Sequence, residues 1–492
     1  MDGANFSISA VGTTLVDLNS FIPDPHAASK LDIDLAKQCC TLPISFDRQR
    51  NRLFLATETI HDVLITERII RSIADSMHVT IGPLCCSSLD DAIEICYSHA
   101  LEFSEIVPEL SSASGKALQP WPDYSHPLIR LVNSVLHAAV DHRASDIHIN
   151  PSLSLSCRIR FRIDGVLGVW QKIPSTHLAA VAVRIKLLAS LDIAESRLPQ
   201  DGQFSVQIQG RWIDFRVSTF PTTEGENLVL RVLDKRARML GINELLGTKK
   251  QQLQVKTHCN MKDGLTIVCG PTGCGKSTTL LAMLAELDSQ SLNIMTLEDP
   301  VENTVEGIQQ CSIRAAQQLD YTDGVRALLR QDPDVLLIGE IRDSASAAMA
   351  FRAALTGHGV FTTIHCRDTQ SAMSRLLDLG IGCSGIASCV NVLIAQRLVR
   401  RLCSDCSSSK KGQPSAHCHR CNGTGYFGRF AVLEIMSITD SLRSLLCNRA
   451  TPADIWSHAV DGGLQSLREQ IQLMVTQGLT DGAELHRVMG PM

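Results

Sequence analysis

Residues 265–278 read Leu-Thr-Ile-Val-Cys-Gly-Pro-Thr-Gly-Cys-Gly-Lys-Ser-Thr, and this stretch decides the fold of the second half of the chain. The apolar run 265–269 predicts a buried strand, and the residues from Lys276 onward have a helical pattern. Between them lies G-x-x-x-x-G-K-[ST], the phosphate-binding P-loop, in the strand–loop–helix context that this pattern requires. Glycines let backbone N–H groups surround a phosphate, Lys276 would reach the β- and γ-phosphates, and Ser277 would bind Mg²⁺. The predicted ATP-binding residues are Gly270, Pro271, Thr272, Gly273, Cys274, Gly275, Lys276, Ser277 and Thr278.

Downstream of the P-loop, short apolar strands alternate with helices, which indicates a parallel sheet covered on both faces. Such sheets bind ligands at the carboxyl ends of their strands. Glu298, Glu340 and His365 each follow one of three such strands. We therefore expect their side chains to lie at the nucleotide site. The three strands are 293–297, 335–339 and 360–364.

Upstream of the P-loop, the pattern changes to strand-like runs that flank a helix, after a first helix that begins at Pro127. This pattern predicts a smaller α+β domain over residues 125–235, between polar linkers at 111–124 and 236–255. In one of its strands Arg158, Arg160 and Arg162 alternate with apolar residues and so share a face. That face is either a solvated basic surface or a surface that contacts an anion.

Length and composition set the broad class of the protein. The chain has 492 residues, 44% hydrophobic and 20% charged, which predicts about three folded domains. A net charge of −5 and 4% aromatic residues do not favour nucleic acid as a partner. We find no apolar stretch of the ~18 residues that cross a bilayer and no signal peptide, so we expect a cytoplasmic protein.

Four of the 18 cysteines form two C-x-x-C pairs, Cys403 with Cys406 and Cys418 with Cys421. Four thiolates spaced this way predict a closed, structural Zn²⁺ site. A redox dithiol and two unrelated pairs of buried cysteines are the alternatives. Most of the other cysteines lie in apolar segments and are expected to be small buried residues in a reducing compartment.

Several further stretches, in order along residues 125–490, make the chain resemble the ATPases of type II secretion and type IV pilus assembly. Besides the P-loop they are Ala144-Ser-Asp-Ile-His148, Arg160-Phe-Arg-Ile-Asp-Gly165, Leu191-Asp-Ile-Ala-Glu195, Leu198-Pro-Gln-Asp-Gly202, Asp214-Phe-Arg-Val-Ser-Thr219, Leu297-Glu-Asp-Pro-Val-Glu302, Leu329-Arg-Gln-Asp-Pro-Asp334, Gly339-Glu-Ile-Arg-Asp343, Leu355-Thr-Gly-His358, Thr363-Ile-His365, Ala395-Gln-Arg-Leu398 and Gly425-Tyr-Phe-Gly-Arg429.

The resemblance implies an α/β fold: a RecA-like P-loop motor domain, preceded by a smaller α+β (PAS-like) domain and an N-terminal docking domain. It also implies a homo-hexamer that binds ATP between the two later domains. The expected segments are a docking domain at 1–110, a linker at 111–124, the α+β domain at 125–235, a linker at 236–255, the ATPase domain at 256–402, a tetracysteine zinc module at 403–421 and a C-terminal helical part at 422–492.

The resemblance also implies roles for individual residues. Glu298 and Glu340 would share Mg²⁺ organisation and water activation, in a division that the sequence leaves open. His365 would sense the γ-phosphate and belongs, with His358, to the family's His box. Arg216 and Arg231 match arginines that reach the γ-phosphate, in cis or in trans.

Three positions depart from the family pattern. Gln203 and Ala345 stand where the family often has Arg and Glu, and both changes could slow hydrolysis. Cys274 stands where Ser is usual. Because it lies near phosphates and a helix N-terminus, we expect its thiol to have a lowered pKa and to be reactive.

Residues 396–435 hold seven Lys/Arg against two acids. With about −2 from a Zn(Cys)₄ centre, this module would stay near +3. It is either a solvated basic face or a surface for anionic lipid or an acidic partner.

These observations favour a cytoplasmic ring ATPase, peripherally attached to the inner membrane, that drives assembly of a type IV pilus or a type II secretion pseudopilus. Its expected partners are an inner-membrane platform protein and the cytoplasmic docking domain of a membrane protein, with no nucleic acid. The alternatives are a pilus retraction motor, a nucleic-acid translocase and a weakly active nucleotide-gated scaffold. Which export system it serves stays open.

Overall fold

The strand that precedes the P-loop is buried along almost its whole length, and a seven-stranded sheet forms around it. The computed structural model describes residues 6–7, 14–16, 24–47, 50–58, 69, 73, 78–86, 89–98, 127–152, 156–208, 211–234, 240–261, 263–313, 321–407, 418 and 420–491. The chain divides into two compact units, Met1–Ala237 and Arg238–Met492. Among the described helices, none is both long and apolar enough to cross a membrane.

The first part of unit Met1–Ala237 is a small mixed sheet with three short helices. Strand β5 is paired in parallel with β1, β2 and β4, and β3 is antiparallel to β4. Leu42, Leu53, Ile81 and Ile93 are among the buried residues of its core. The linker predicted at 111–124 lies outside the described residues. The elements are β1 (Phe6–Ser7), β2 (Thr14–Val16), α1 (Pro25–Ala28), α2 (Ile33–Gln38), β3 (Thr41–Asp47), β4 (Arg52–Thr57), β5 (His78–Cys86) and α3 (Leu89–Ser98).

The second part of this unit is a six-stranded antiparallel sheet in the order β8-β7-β6-β11-β10-β9. Two helices cover one face, and their apolar side chains join Ile147, Phe161 and Phe215 in one core. The other face carries the arginines at 158, 160, 162, 216 and 231. The elements are α4 (Pro127–Asp141), β6 (Ala144–Asn150), β7 (Ser156–Ile163), β8 (Val166–Pro174), α5 (Leu178–Leu188), β9 (Gln200–Ile208), β10 (Arg211–Thr222) and β11 (Gly225–Asp234).

Unit Arg238–Met492 contains the seven-stranded sheet, in the order β14-β13-β15-β16-β12-β17-β18. All neighbours are parallel except β17 and β18, which are antiparallel. The strands are β12 (Gly264–Cys269), β13 (Ile294–Glu298), β14 (Gln309–Ser312), β15 (Val335–Ile338), β16 (Gly359–Ile364), β17 (Val390–Leu402) and β18 (Tyr426–Ser437).

Helices cover both faces of this sheet, which confirms the parallel, doubly covered architecture for this unit. They are α6 (Ile242–Leu245), α7 (Lys249–Cys259), α8 (Lys276–Leu284), α9 (Tyr321–Leu328), α10 (Ser344–Leu355), α11 (Thr369–Asp378), α12 (Cys383–Cys389), α13 (Ser404–Ser407), α14 (Asp440–Cys447), α15 (Pro452–Asp461), α16 (Leu467–Thr476) and α17 (Gly482–Met489).

Two segment predictions differ from this fold. The polar stretch 236–255 contains α6 and the start of α7, because its few apolar residues, such as Ile242 and Val255, are buried against the sheet. The expectation that 422–492 is helical is wrong for Tyr426–Ser437, which forms β18 because its run 430–434 is buried beside β17. The tetracysteine segment therefore lies in the connection between two paired strands.

Glu434 of β18 explains how the C-terminal helices are held on the sheet. Its carboxylate is 3% exposed. It accepts hydrogen bonds from the N–H and hydroxyl of Thr369 at 2.9 and 2.6 Å and from the Leu467 N–H at 3.2 Å. One buried carboxylate thus satisfies the first N–H groups of both α11 and α16, where a negative charge also favours the helix dipoles.

Candidate functional site

The P-loop connects β12 to α8 and is built by close backbone approaches. A Cβ at Gly270 would lie 2.5 Å from the sulfur of Cys274 and 2.8 Å from the carbonyl oxygen of Gln396. Gly275, the residue before α8, has φ +84°, a left-handed conformation that glycine adopts without strain. Substitution at either position would distort the loop.

The polar groups of the loop are arranged for a phosphate chain. Lys276 is largely buried, and its Nζ donates to the carbonyls of Gly270 and Pro271 at 3.0 and 3.1 Å. Its ammonium group is therefore held against the loop itself. The exposed Ser277 in the first turn of α8 offers a hydroxyl ligand beside it.

Cys274 does not behave as its position near a helix N-terminus suggests. Its side chain is 5% exposed and packs under the loop toward Gly270. Burial raises the pKa of its thiol above the usual value, although Lys276 and Arg397 oppose this. The expectation of a lowered pKa and a reactive thiol is therefore wrong.

The carboxyl ends of β13, β15, β16 and β12 lie side by side, so residues that follow these strands share one edge of the sheet. Glu340 and His365 are in direct contact, with Nε2 of His365 3.0 Å from Oε2 of Glu340. The P-loop follows β12, the strand next to β16. The sheet thus brings two of the predicted catalytic side chains together at the edge that carries the P-loop.

Arg342 organises the acidic groups at this edge. It donates to Glu340, and its Nη2 lies 3.1 Å from Oδ2 of Asp299. Partial burial would raise the pKa of Glu340, but the hydrogen bonds and charges of Arg342 and His365 lower it overall. Glu340 is therefore a carboxylate at neutral pH. The carboxylates of Glu340 and Asp299 and the hydroxyl of Ser277 are hard oxygen donors of the kind that Mg²⁺ takes, so the donor set fits this ion.

Glu298 ends β13 beside these groups but has different contacts. It is 6% exposed, and its Oε1 accepts from the Thr296 hydroxyl at 2.7 Å and the Gln310 amide at 2.9 Å. Its described contacts therefore hold it to its own strand and to β14. Glu340, by contrast, pairs with Arg342, whose side chain is about half exposed.

His358, the second residue of the expected His box, lies at the other edge of the sheet. It precedes β16, and its Nδ1 is 2.9 Å from the carbonyl of Ala353 at the end of α10. Seven residue steps along the strand, at about 3.3 Å each, separate it from His365 by roughly 23 Å. His358 is therefore not part of the group formed by Glu340 and His365.

Arg216 and Arg231 belong to the other unit, where they are direct neighbours on β10 and β11. Both line a cavity of about 460 Å³ on the open face of the six-stranded sheet. Nε of Arg231 is 3.3 Å from Asp146, which also pairs with Arg162 at 3.3 Å. Among the described residues no carboxylate lies within ion-pair distance of Arg216. Gln203 lies directly opposite Arg216 on β9, where the family pattern would add another arginine.

The four cysteines meet at the end of the β17–β18 pair. Their sulfur atoms all lie within 4.8 Å of one another. The Sγ–Sγ distance is 3.8 Å between Cys403 and Cys418 and 3.6 Å between Cys406 and Cys421. A tetrahedron with Zn–S bonds of about 2.3 Å has edges of about 3.8 Å, so the cluster fits Zn²⁺.

Hydrogen bonds and an ion pair connect this cluster to the adjoining ends of β17 and β18. The Gly425 N–H donates to the sulfur of Cys421 at 3.4 Å, and the Cys403 N–H donates to the Gly425 carbonyl at 2.8 Å. Arg420 pairs with Asp405 at 3.1 Å and lies 4.6 Å above the ring of Phe427. Residues 408–417 and 419, with two of the basic residues counted above, lie outside the described part.

Part of the basic surface predicted for this module is neutralised within the fold. Arg400 pairs with the fully buried Glu484 at 2.7 Å, and Arg420 pairs with Asp405. Arg397, by contrast, keeps its charge, because its hydrogen bonds go to backbone carbonyls inside the unit. Contact with anionic lipid stays a prediction.

Sequence reasoning missed two residues that hold candidate site residues in place by ion pairs, Arg342 beside Glu340 in one unit and Asp146 beside Arg231 in the other. Arg342 and Asp146 both occur in the stretches quoted above, and their position within two residues of Glu340 and His148 was the available signal. Gln396 and Arg397 also occur in a quoted stretch, Ala395-Gln-Arg-Leu398, but no role was predicted for them. Their contacts depend on pairing between distant strands, which no local pattern reveals.

The family model described as "Type II/IV secretion system protein" matches residues 123–487. The Pseudomonas aeruginosa "Type II secretion system protein HxcR" is 43% identical over 364 residues, which cover 74% of this chain and 77% of that protein. The Vibrio cholerae "Type II secretion system ATPase E" is 40% identical over 381 residues, 74% of this chain and 75% of that protein.

Solved structures of lower identity share the fold. The Yersinia pseudotuberculosis ATPase DotB has a TM-score of 0.57 at 20% identity and covers 76% of this chain and 96% of its own. The pilus retraction motor PilT with bound ADP has a TM-score of 0.50 at 24% identity, with 72% and 95% covered. These likenesses confirm the α/β fold.

Proposed function

Because the chain belongs to the type II/IV secretion system protein family, we propose that it is a Mg²⁺-dependent ATPase motor that drives assembly of a secretion pseudopilus or a type IV pilus. The observation that carries this proposal is the contact between Glu340 and His365 at the sheet edge that also carries the P-loop. The 40% identity to a type II secretion ATPase supports a motor of an export system over other kinds of motor.

The residues divide the work as follows. The P-loop binds the triphosphate through its backbone N–H groups, and Lys276 leaves its two carbonyl contacts to bind the outer phosphates. Ser277, Glu340 and Asp299 would hold Mg²⁺, which supplies charge neutralisation for the transferred phosphoryl group. Glu340, kept ionised by Arg342 and His365, accepts the proton of the attacking water.

Glu298, the second acidic candidate, has a different part in this proposal. Its buried Oε1 is occupied by Thr296 and Gln310. We assign it to the orientation of the strand end and assign water activation to Glu340. This division is our proposal for the roles that the sequence left open.

Arg216 and Arg231 would neutralise the charge that develops on the γ-phosphate, as arginine fingers do. Two guanidinium groups on neighbouring strands, beside a cavity of about 460 Å³, support this role. The subunits of a homo-hexamer would then complete one another's sites.

The tetracysteine cluster would hold a structural Zn²⁺. All four sulfur atoms are used, so the site has no open position for a substrate. Zinc would lock the loop between β17 and β18 into one conformation. We propose that residues 1–110 dock to a membrane protein and that the motor acts from the cytoplasm, at the inner membrane, on a platform protein.

Steady-state hydrolysis of ATP tests the enzymatic part of this proposal. Wild-type protein with Mg²⁺ should release phosphate, and removal of Mg²⁺ with EDTA or the Lys276→Ala substitution should abolish release. Lys256→Ala is the matched control, because Lys256 only pairs with Glu286 at the surface. Phosphate release that persists in Lys276→Ala, or that needs no divalent cation, would contradict the proposal.

A further inference from the structure

Two adjacent residues of β17, Gln396 and Arg397, contact both loops that carry the proposed catalytic groups. Gln396 is 1% exposed, and its Nε2 donates to the carbonyl of Cys274 in the P-loop at 2.7 Å. Its own carbonyl oxygen lies 2.8 Å from where a Cβ at Gly270 would be. Gln396 therefore lies directly beneath the P-loop.

Arg397 makes the second connection. Its Nη2 donates to the carbonyl of Arg367 at 2.7 Å, in the loop that follows His365. Its Nη1 donates to the carbonyl of Gln396 at 2.8 Å and lies 3.6 Å from the Cβ position of Gly270. One planar guanidinium thus spans from the start of the P-loop to the loop of His365.

Within the described part of the chain, the charge of Arg397 has no partner of opposite sign. Among the described residues no carboxylate lies within ion-pair distance of it, and both of its hydrogen bonds end on backbone carbonyls. A partly buried cation without a counter-ion is costly, and the Oε1 of buried Gln396 also has no hydrogen-bond partner. Costs of this kind are common at functional sites rather than in a purely structural core.

We propose that Gln396 and Arg397 are positioning residues that fix the P-loop and the His365 loop relative to each other, so that Lys276 and His365 address the same phosphate chain. This inference rests on the proposed ATPase function and deepens it. The two residues do not touch the reacting atoms. They act through backbone carbonyls at Cys274 and Arg367.

Hydrogen–deuterium exchange on the full-length, nucleotide-free protein tests this directly. In Arg397→Gln, amide exchange should rise several-fold in segments 270–276 and 365–368 and stay unchanged in 440–489. Arg401→Gln is the matched control, because it removes an exposed arginine from the same strand. Unchanged exchange in both loops, or an equal rise throughout the unit, would overturn the inference.

Arg397→Lys separates positioning from charge. Lysine keeps the positive charge but lacks the planar fork that spans two carbonyls, so exchange in both loops should stay raised. Full restoration of the wild-type pattern by lysine would overturn the positioning role. Because exchange is measured without nucleotide, this result does not depend on whether the protein hydrolyses ATP.

Kinetics supply the second readout. A misplaced catalytic loop lowers turnover more than binding, so Arg397→Gln should reduce kcat about tenfold and change KM less than about twofold. A rise in KM with kcat unchanged would mean that Arg397 only helps to bind nucleotide.

Discussion

The carboxylate of Glu484 holds α17 against β17, the strand that leads into the tetracysteine loop, and substitution of Glu484 measures how much this contact stabilises the fold. Its side chain is 0% exposed and pairs with Arg400 and Arg487 at 2.7 and 2.6 Å. It also accepts the backbone N–H of Arg400 at 2.8 Å. Burial alone would raise the pKa of this carboxyl, but the hydrogen bonds from Arg487 and Arg400 lower it from 4.5 to about 2.

The difference between the unfolded and the folded pKa of Glu484 sets the size of the predicted loss of stability. A change in pKa from 4.5 to about 2 on folding corresponds to about 3 kcal/mol of stability at pH 7. Because the folded pKa is the lower one, this contribution is complete above about pH 5 and declines as the pH falls toward 2. About 2 kcal/mol should remain at pH 3.5.

The perturbation is Glu484→Gln, which keeps the shape of the side chain but removes its charge. Urea unfolding, followed by circular dichroism, should show a loss of about 3 kcal/mol at pH 7 and a smaller loss at pH 3.5. Glu286→Gln is the control, since this partly exposed partner of Lys256 should cost less than about 1 kcal/mol. A loss below 1 kcal/mol at pH 7, or a loss that is independent of pH, would refute the reasoning.

Three further predictions concern the metal, the P-loop thiol and the arginine cavity. Purified protein should contain about one zinc per chain by elemental analysis. Cys418→Ser should lose the zinc, whereas Cys447→Ser, at an exposed cysteine outside the cluster, should keep it. Zinc retained in Cys418→Ser would contradict the site. Because burial raises the pKa of Cys274, mass spectrometry should show iodoacetamide modifying it at least about tenfold more slowly than Cys447 at pH 7.5, with acceleration above pH 9; equal rates would argue against its burial. Gln203→Arg should raise kcat several-fold, because it adds a guanidinium group to the cavity. Gln207→Arg, outside the cavity, should leave kcat unchanged. A fall in kcat for Gln203→Arg would mean that the extra charge only repels its neighbours.

The elements that position the site could be predicted because each has a strong local signal. The strand before the P-loop, the strands that end at Glu298 and Glu340, and the helix from Pro127 all have clear apolar periodicity. Strand β8 (Val166–Pro174) has no such signal, because it is an edge strand with few buried side chains and therefore little alternation. β18 was missed because its pairing with β17 spans the tetracysteine segment.

The residues of the candidate site also divide into those with a local sequence signal and those without one. The structure brings the four motif cysteines together and holds Lys276 against the P-loop, while their roles stay predictions. The behaviour of Cys274 could not be predicted, since a motif does not show which way a side chain points. The contacts of Arg397 join positions that are 30 residues apart in the sequence, so only the folded sheet reveals them.

The measurement that tests the central claim most directly is ATP hydrolysis per subunit across a wide range of protein concentration, with Lys276→Ala as the blank. We predict that specific activity rises with concentration and then levels off, because assembly of the ring brings Arg216 and Arg231 to a neighbouring site. Activity that is high and independent of concentration in a monomer would contradict a motor whose subunits complete one another's sites.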